Sequence, residues 1–304
     1  MIRKPTTLDI AILVFLAAIW GSAFLGTKIA VAEVTPVDIV FIRVAIGFVI
    51  LLPWCLWRGW LWPVSTRQWL LILVIAGLNV IAPYFLISWA QQTIDAGVTA
   101  LLMGAGPLLS IIAAHFATHD DKLTAAKLIG VAFGFTGVAI VIGPAAFNKL
   151  GQDLLAQGAA LAGNICYVIS GLLIRKVEGI QPTRLSALVL GLSTAALIPV
   201  IFTMGIPNPA LLSTDVLWAL LYLGIVPTGL GYLLRYHMIR TVGVGYFALG
   251  VNMVPVFGVL LGALFLGEPL TLSVGLSLIF VVTGLFIARL RRREPDKVLT
   301  DTLS

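Results

Sequence analysis

Apolar stretches of about 20 residues recur along this chain from one end to the other, and no other feature constrains its fold as strongly. A helix needs roughly 20 apolar residues to cross the hydrocarbon core of a bilayer, and in lipid every backbone polar group must be satisfied within the helix itself. Of the 304 residues, 60% are hydrophobic and only 11% are charged. A soluble domain carries roughly 25% charged residues, and a water-facing surface could not be covered with so few. The pattern therefore predicts an all-α integral membrane protein.

Ten spans are expected, at about 8–27, 36–57, 68–90, 96–117, 124–142, 153–174, 182–204, 214–236, 241–264 and 270–289. Breakers divide them: Pro36, Trp62-Pro63, His119-Asp120-Asp121-Lys122, Gly143-Pro144, Gln181-Pro182 and Pro207-Asn208-Pro209. The division is weakest at Gly267-Glu268-Pro269. No gap is long enough for a soluble domain. The N-terminus has the outline of a secretory signal, but its apolar run continues past Trp20 to about Gly26, so it is read as a retained span.

Lys and Arg fall in alternate gaps: 16 of the 19 lie on one side, while Lys28 and Lys149 lie on the other and Arg43 lies within the second span. The positive-inside bias then places both termini in the cytoplasm, in a bacterial-type cell membrane. It also accounts for the net charge of +6 without nucleic acid.

An internal repeat with an offset near 147 relates Lys28 to Arg175, Leu123-Thr124 to Leu270-Thr271, and Gly137 to Gly284. Nearby offsets pair Pro36 with Pro182, Trp69 with Trp218, Tyr84 with Tyr232, and Pro107 with Pro255. The expected units are 1–147 and 148–304, each of five helices. An odd count forces the second unit to enter the membrane inverted, and inverted repeats build carriers with a site near the midplane.

Several motifs resemble the ten-helix EamA-type members of the drug/metabolite transporter superfamily. These are Trp20-Gly21-Ser22-Ala23-Phe24 followed by Lys28, Pro36 and Arg43; Thr99-Ala100-Leu101-Leu102 leading to Pro107; and Pro255 leading to Leu266-Gly267-Glu268-Pro269-Leu270-Thr271. His119-Asp120-Asp121-Lys122 departs from the Gly-Glu usual before Leu-Thr in that family. The resemblance covers nearly the whole chain. It implies export or exchange of small polar or amphipathic metabolites, amino acids among them, through a central cavity.

Polar and aromatic residues inside spans are the candidates for contacting such a solute: Trp20, Asn79, Tyr84, Met103, Asn164, Tyr167, Thr228, Tyr232 and Asn252. Pro83 frees a carbonyl one turn back, at Asn79. Trp20 and Tyr167 are repeat counterparts and offer stacking faces. Packing and interfacial anchoring are the competing roles for all nine. Arg43 is expected to be structural, partnered by Glu33 or Asp38, with a gate or an anion contact as the alternative. His115 is read as interfacial. GxxxG pairs at Gly130/Gly134 and Gly258/Gly262 predict close helix contacts, internal in preference to a homodimer interface.

No Asp or Glu lies mid-span, which favours facilitated diffusion or weakly coupled exchange over a carboxylate proton relay. Cys55 and Cys166 read as free buried thiols. No GxxxxGK[ST] or HExxH occurs, and Gly104-Ala105-Gly106 and Gly229-Leu230-Gly231 lack a βαβ context, so no cofactor or metal is expected. The partners are a small-molecule substrate and the bilayer. Drug or toxic-compound efflux is the runner-up. A membrane-embedded enzyme or sensor stands behind it, since an enzyme would show an acid, base or metal cluster at one face.

Overall fold

The computed structural model describes residues 5–57, 62–63, 65–117, 124–142, 152–205, 207–243, 247 and 250–288. The 118–123 loop and the basic tail after 288, both used to orient the chain, lie outside them, as does the turn at 143–144.

Every described element is helical. In chain order they are α1 (Thr7–Ala30), α2 (Pro36–Trp57), α3 (Thr66–Ala90), α4 (Ala96–Met103), α5 (Gly106–Ala117), α6 (Ala125–Ile142), α7 (Gln152–Ile174), α8 (Pro182–Met204), α9 (Thr214–Val242), α10 (Val254–Leu266) and α11 (Leu272–Ile287). Seven stretches are long and apolar enough to cross a membrane, and three shorter apolar helices occupy α6, α10 and α11. Of the expected spans, the fourth is split between α4 and α5. The ninth is likewise interrupted: residues 247, 250 and 251 are helical, a turn follows at 252–253, and α10 starts at Val254.

Helix boundaries follow local chemistry. Thr6 caps α1 in a reciprocal box with Asp9, Ser65 caps α3, Ser213 caps α9, and Thr271 caps α11. Pro36 and Pro182 open α2 and α8, where a missing N–H is harmless. Gly267 closes α10 in the left-handed conformation, φ 66°, with open space where a Cβ would stand. Gly267→Ala is therefore expected to lower stability by about 1 kcal/mol. Gly275→Ala, equally uncrowded but with ordinary φ inside α11, should be stabilising by up to about 1 kcal/mol; equal thermal midpoints for the two variants would refute the conformational argument.

Helix pairs recur with the first and second parts of the chain exchanged. α1 packs on α9 and α10, while α7 packs on α3 and α4; α2 packs on α8, and α6 on α11. The closest crossing is α6 with α11, where Gly130 faces the backbone of Gly284 and Ala288. Gly258 lies against Ala100, and Gly262 against Glu268. The GxxxG contacts are thus made within the chain.

Candidate functional site

Four helical interruptions lie at matched positions. α3 widens into a π-helical turn at Gly77–Ile81, and α9 does the same at Gly224–Leu230. The fourth span breaks at Gly104-Ala105 and the ninth at Asn252-Met253, each just before a proline, Pro107 or Pro255. Proline explains them: Pro83 and Pro227 cannot donate to the preceding turn, and the wider π turn accommodates the loss. Such turns leave carbonyls and side chains in the helix interior available for other partners.

Arg43, on α2, lies beside these turns and is only 9% exposed. The sequence predicts Glu33 or Asp38 as its partner, and neither pairs with it. Glu33 accepts instead from the Ser213 backbone N–H at 2.8 Å, and one Asp38 oxygen accepts from Thr35 while the other is buried without a partner. The guanidinium lies over the Tyr84 ring, 3.9 Å from its centroid, and Arg43 Nε donates to Thr228 Oγ1 at 2.8 Å. Thr228, fully buried, donates in turn to the Leu223 carbonyl five residues back, a bond the π turn creates. Gly47 allows this approach, since a Cβ there would stand 2.5 Å from Thr228 Cγ2.

Tyr167 and Tyr232 lie beside Tyr84, within the electrostatic reach of Arg43 and Arg235. All three rings belong to one packing cluster. Four candidates, Tyr84, Tyr167, Thr228 and Tyr232, are therefore gathered around Arg43. Asn79 adjoins them on the α3 π turn and donates to Ser170 Oγ at 2.8 Å. Ser170 carried no sequence signal beyond its place on α7 three residues after Tyr167.

The other candidates lie apart. Trp20 donates from Nε1 to the Pro227 carbonyl at 3.1 Å and meets Phe247 edge-on. It packs in a different cluster from Tyr167, its repeat counterpart. Asn164 donates to the Leu102 carbonyl at 2.8 Å, bracing the α4–α5 break. Met103 is half-buried at the end of α4, next to that break. Asn252 is 2% exposed, and among the described residues neither its amide nitrogen nor its oxygen has a hydrogen-bond partner. Asn164→Ala should lower the thermal midpoint, at a cost of about 1 kcal/mol, because the Leu102 carbonyl keeps its bond from the Ala105 N–H at 3.1 Å but loses the side-chain bond that ties the break to α7; an unchanged midpoint would show that the amide does not brace the break.

One end of the bundle carries a second polar set around a recess of about 460 Å³. Lys28 donates to the Gln91 and Ile94 carbonyls at the end of α3, at 2.8 and 2.9 Å. Glu268 accepts from the Ala96 and Gly97 N–H groups opening α4, at 2.6 and 2.8 Å. Each charge meets the helix terminus of opposite polarity. The Ser213 bond holds the Glu33 carboxyl below its ordinary value of 4.5. That tie is complete at neutral pH and is lost only as pH falls through the lowered value.

Among the described residues, no three His, Cys, Asp or Glu side chains cluster as a metal site would. Cys55 and Cys166 are free thiols, the first buried and the second half-buried.

Comparison with known proteins agrees with this architecture. The model of the EamA-like transporter family matches residues 8–143 and again residues 154–290. An uncharacterized transporter of Archaeoglobus fulgidus is 22% identical over 91% of this chain and 95% of its own length. Two uncharacterized transporters of Bacillus subtilis, YoaV and YvbV, are 22% and 26% identical over 88% and 96% of this chain, and over 92% and 95% of their own lengths. A protein of known crystal structure, 20% identical, superposes with a TM-score of 0.67 over 93% of this chain and 99% of its own.

Proposed function

Because the chain belongs to the EamA-like transporter family of the drug/metabolite transporter superfamily, we propose that this membrane transporter is a ten-span secondary carrier. It moves small metabolites, amino acids or related compounds, out of the cell by alternating access. The carrying observation is the set of matched interruptions: π turns in α3 and α9 and breaks in the fourth and ninth spans, gathered around buried polar groups. Discontinuous helices at corresponding places in two repeats are where carriers bind their solute. The repeated helix contacts and the double family match support two inverted units, 1–147 and 148–304. The Lys/Arg bias supports cytoplasmic termini, with the Lys28–Glu268 end facing outward.

Absence of a mid-span carboxylate among the described residues favours exchange over proton-driven pumping. The direct test is counterflow in vesicles of purified protein, loaded in turn with individual amino acids and their toxic analogues. Exchange is expected to outpace net flux; strong uphill movement driven by a pH gradient would overturn the exchange mechanism, and absence of protein-dependent flux for every solute would overturn the carrier. The three clustered tyrosines favour amphipathic drug efflux as the second reading, which would appear as flux of hydrophobic cations in preference to metabolites.

A further inference from the structure

We infer that Arg43 is an anion-binding subsite, held ready by Thr228 and Tyr84, and that the transported solute carries a carboxylate beside an apolar or aromatic body. This rests on the carrier reading and names the chemistry of its solute.

The argument begins with an unbalanced charge. A guanidinium buried in the spanning part of a membrane protein loses most of its hydration, and that loss is tolerated only when another charge or a set of acceptors replaces water. Arg43 has one hydrogen bond, from Nε to Thr228 Oγ1. No carboxylate of the described residues pairs with it, and Tyr84 contributes a ring face instead of a charge. Among the described residues, the N–H groups of Nη1 and Nη2 therefore remain without partners.

The geometry explains why these donors are held in place. Thr228 is itself fixed by its bond to Leu223 O, so it cannot swing away from Nε. The Tyr84 ring lies against the guanidinium, 3.9 Å from Cζ to its centroid, and Gly47 keeps α2 close enough for the threonine contact. With Nε bonded to Thr228 and the Tyr84 ring against the group, the Nη pair is the part left to recognise a ligand. Two parallel N–H donors match the two oxygens of a carboxylate. Tyr167 and Tyr232, packed beside Tyr84, supply ring surface for the remainder of such a molecule. Binding would remove the buried charge imbalance, so the occupied site would close more readily than the empty one. That difference would favour exchange over net flux.

The test uses full-length purified protein and three acid/amide pairs: acetate with acetamide, benzoate with benzamide, and 3-phenylpropionate with 3-phenylpropanamide. Thermal stabilisation is measured for wild type, Arg43→Gln and Arg43→Lys. At least one acid should stabilise wild type more than its amide, with aromatic acids ahead of acetate. Arg43→Gln should weaken the acid by about ten- to a hundredfold, the loss of a charge-assisted contact, and leave the amide unchanged. Arg43→Lys keeps the charge but not the fork, so it should recover only part of the preference. Equal response to acid and amide in every pair, or acid preference surviving intact in Arg43→Gln, overturns the inference. Thr228→Val provides a second variant that keeps side-chain shape; it should weaken acid binding severalfold, and an unchanged affinity would count against Thr228 as the positioning group. The two readings fail separately. Vesicles that carry neutral solutes as well as acids would sink the carboxylate subsite and leave the carrier, whereas acid binding without any flux would do the reverse.

Discussion

Gly284→Val is expected to abolish most folded protein, or to lower its stability by at least about 3 kcal/mol. A Cβ at this position would stand 2.5 Å from the Gly130 carbonyl oxygen and 2.6 Å from the Gly134 nitrogen. Both obstacles are backbone, so no side chain can rotate to make room and the two helices must separate. Separation matters more in lipid than in water. The tails are as apolar as the side chains they would replace, so helices associate through close packing with little hydrophobic drive. The reciprocal contact from Gly130 reaches Gly284 O and Ala288 N at 2.5 Å each, so both helices have been reduced to backbone at one crossing. Gly275→Val on the same helix is the control, since nothing lies within 4 Å of that position. Size-exclusion profiles and thermal midpoints in detergent should separate the two variants clearly. Matching profiles would mean that α6 and α11 do not depend on the crossing.

The same crossing shows what could be read from sequence and what could not. Gly130/Gly134 was visible as a motif, and Gly137 paired with Gly284 through the repeat, because close approach demands small residues at helical spacing. Span positions are legible for a similar reason, since hydrocarbon thickness fixes helix length; the caps Ser213 and Thr271, which fix where α9 and α11 start, emerge only in the structure. Arg43 was misjudged because Glu33 and Asp38 are near it in sequence. Its actual partners, Thr228 and Tyr84, are distant in the chain and meet it only when α2 packs against the π turn of α9 and alongside α3. The repeat offset pairs Tyr84 with Tyr232, and the two lie in one packing cluster, but the offset carries no information about which helix faces which. Trp20 illustrates that limit, since its indole is held by the Pro227 carbonyl, apart from the tyrosine cluster. Thr228 is legible as a polar residue inside a span, but its bond to Leu223 O depends on the widening of the helix there, which no residue type announces.

Glu268→Ala should open the recess-bearing end of the protein. The N-terminus of α4 has no cap of its own, for Asp95 makes no side-chain capping bond. Glu268 supplies that cap from about 170 residues further along the chain, accepting from two N–H groups that would otherwise be orphaned. Two charge-assisted bonds at a helix N-terminus are worth about 3 kcal/mol together. If this tie joins the two repeats only when the outer end is closed, its loss shifts the closed-to-open ratio by about a hundredfold. Thr99, fully buried one turn into α4, is the place to read the shift. In a background with Cys55 and Cys166 replaced by serine, Thr99→Cys should react slowly with a membrane-impermeant maleimide. Adding Glu268→Ala should accelerate labelling by one to two orders of magnitude. Glu268→Gln, retaining one carbonyl acceptor but no charge, should fall between. Flux should decrease in step, because a carrier too stable in its outward-open form seldom returns. Labelling that stays slow in Glu268→Ala would make Glu268 a local helix cap with no part in closure, and the outer gate would then have to be sought at Lys28 and Glu33.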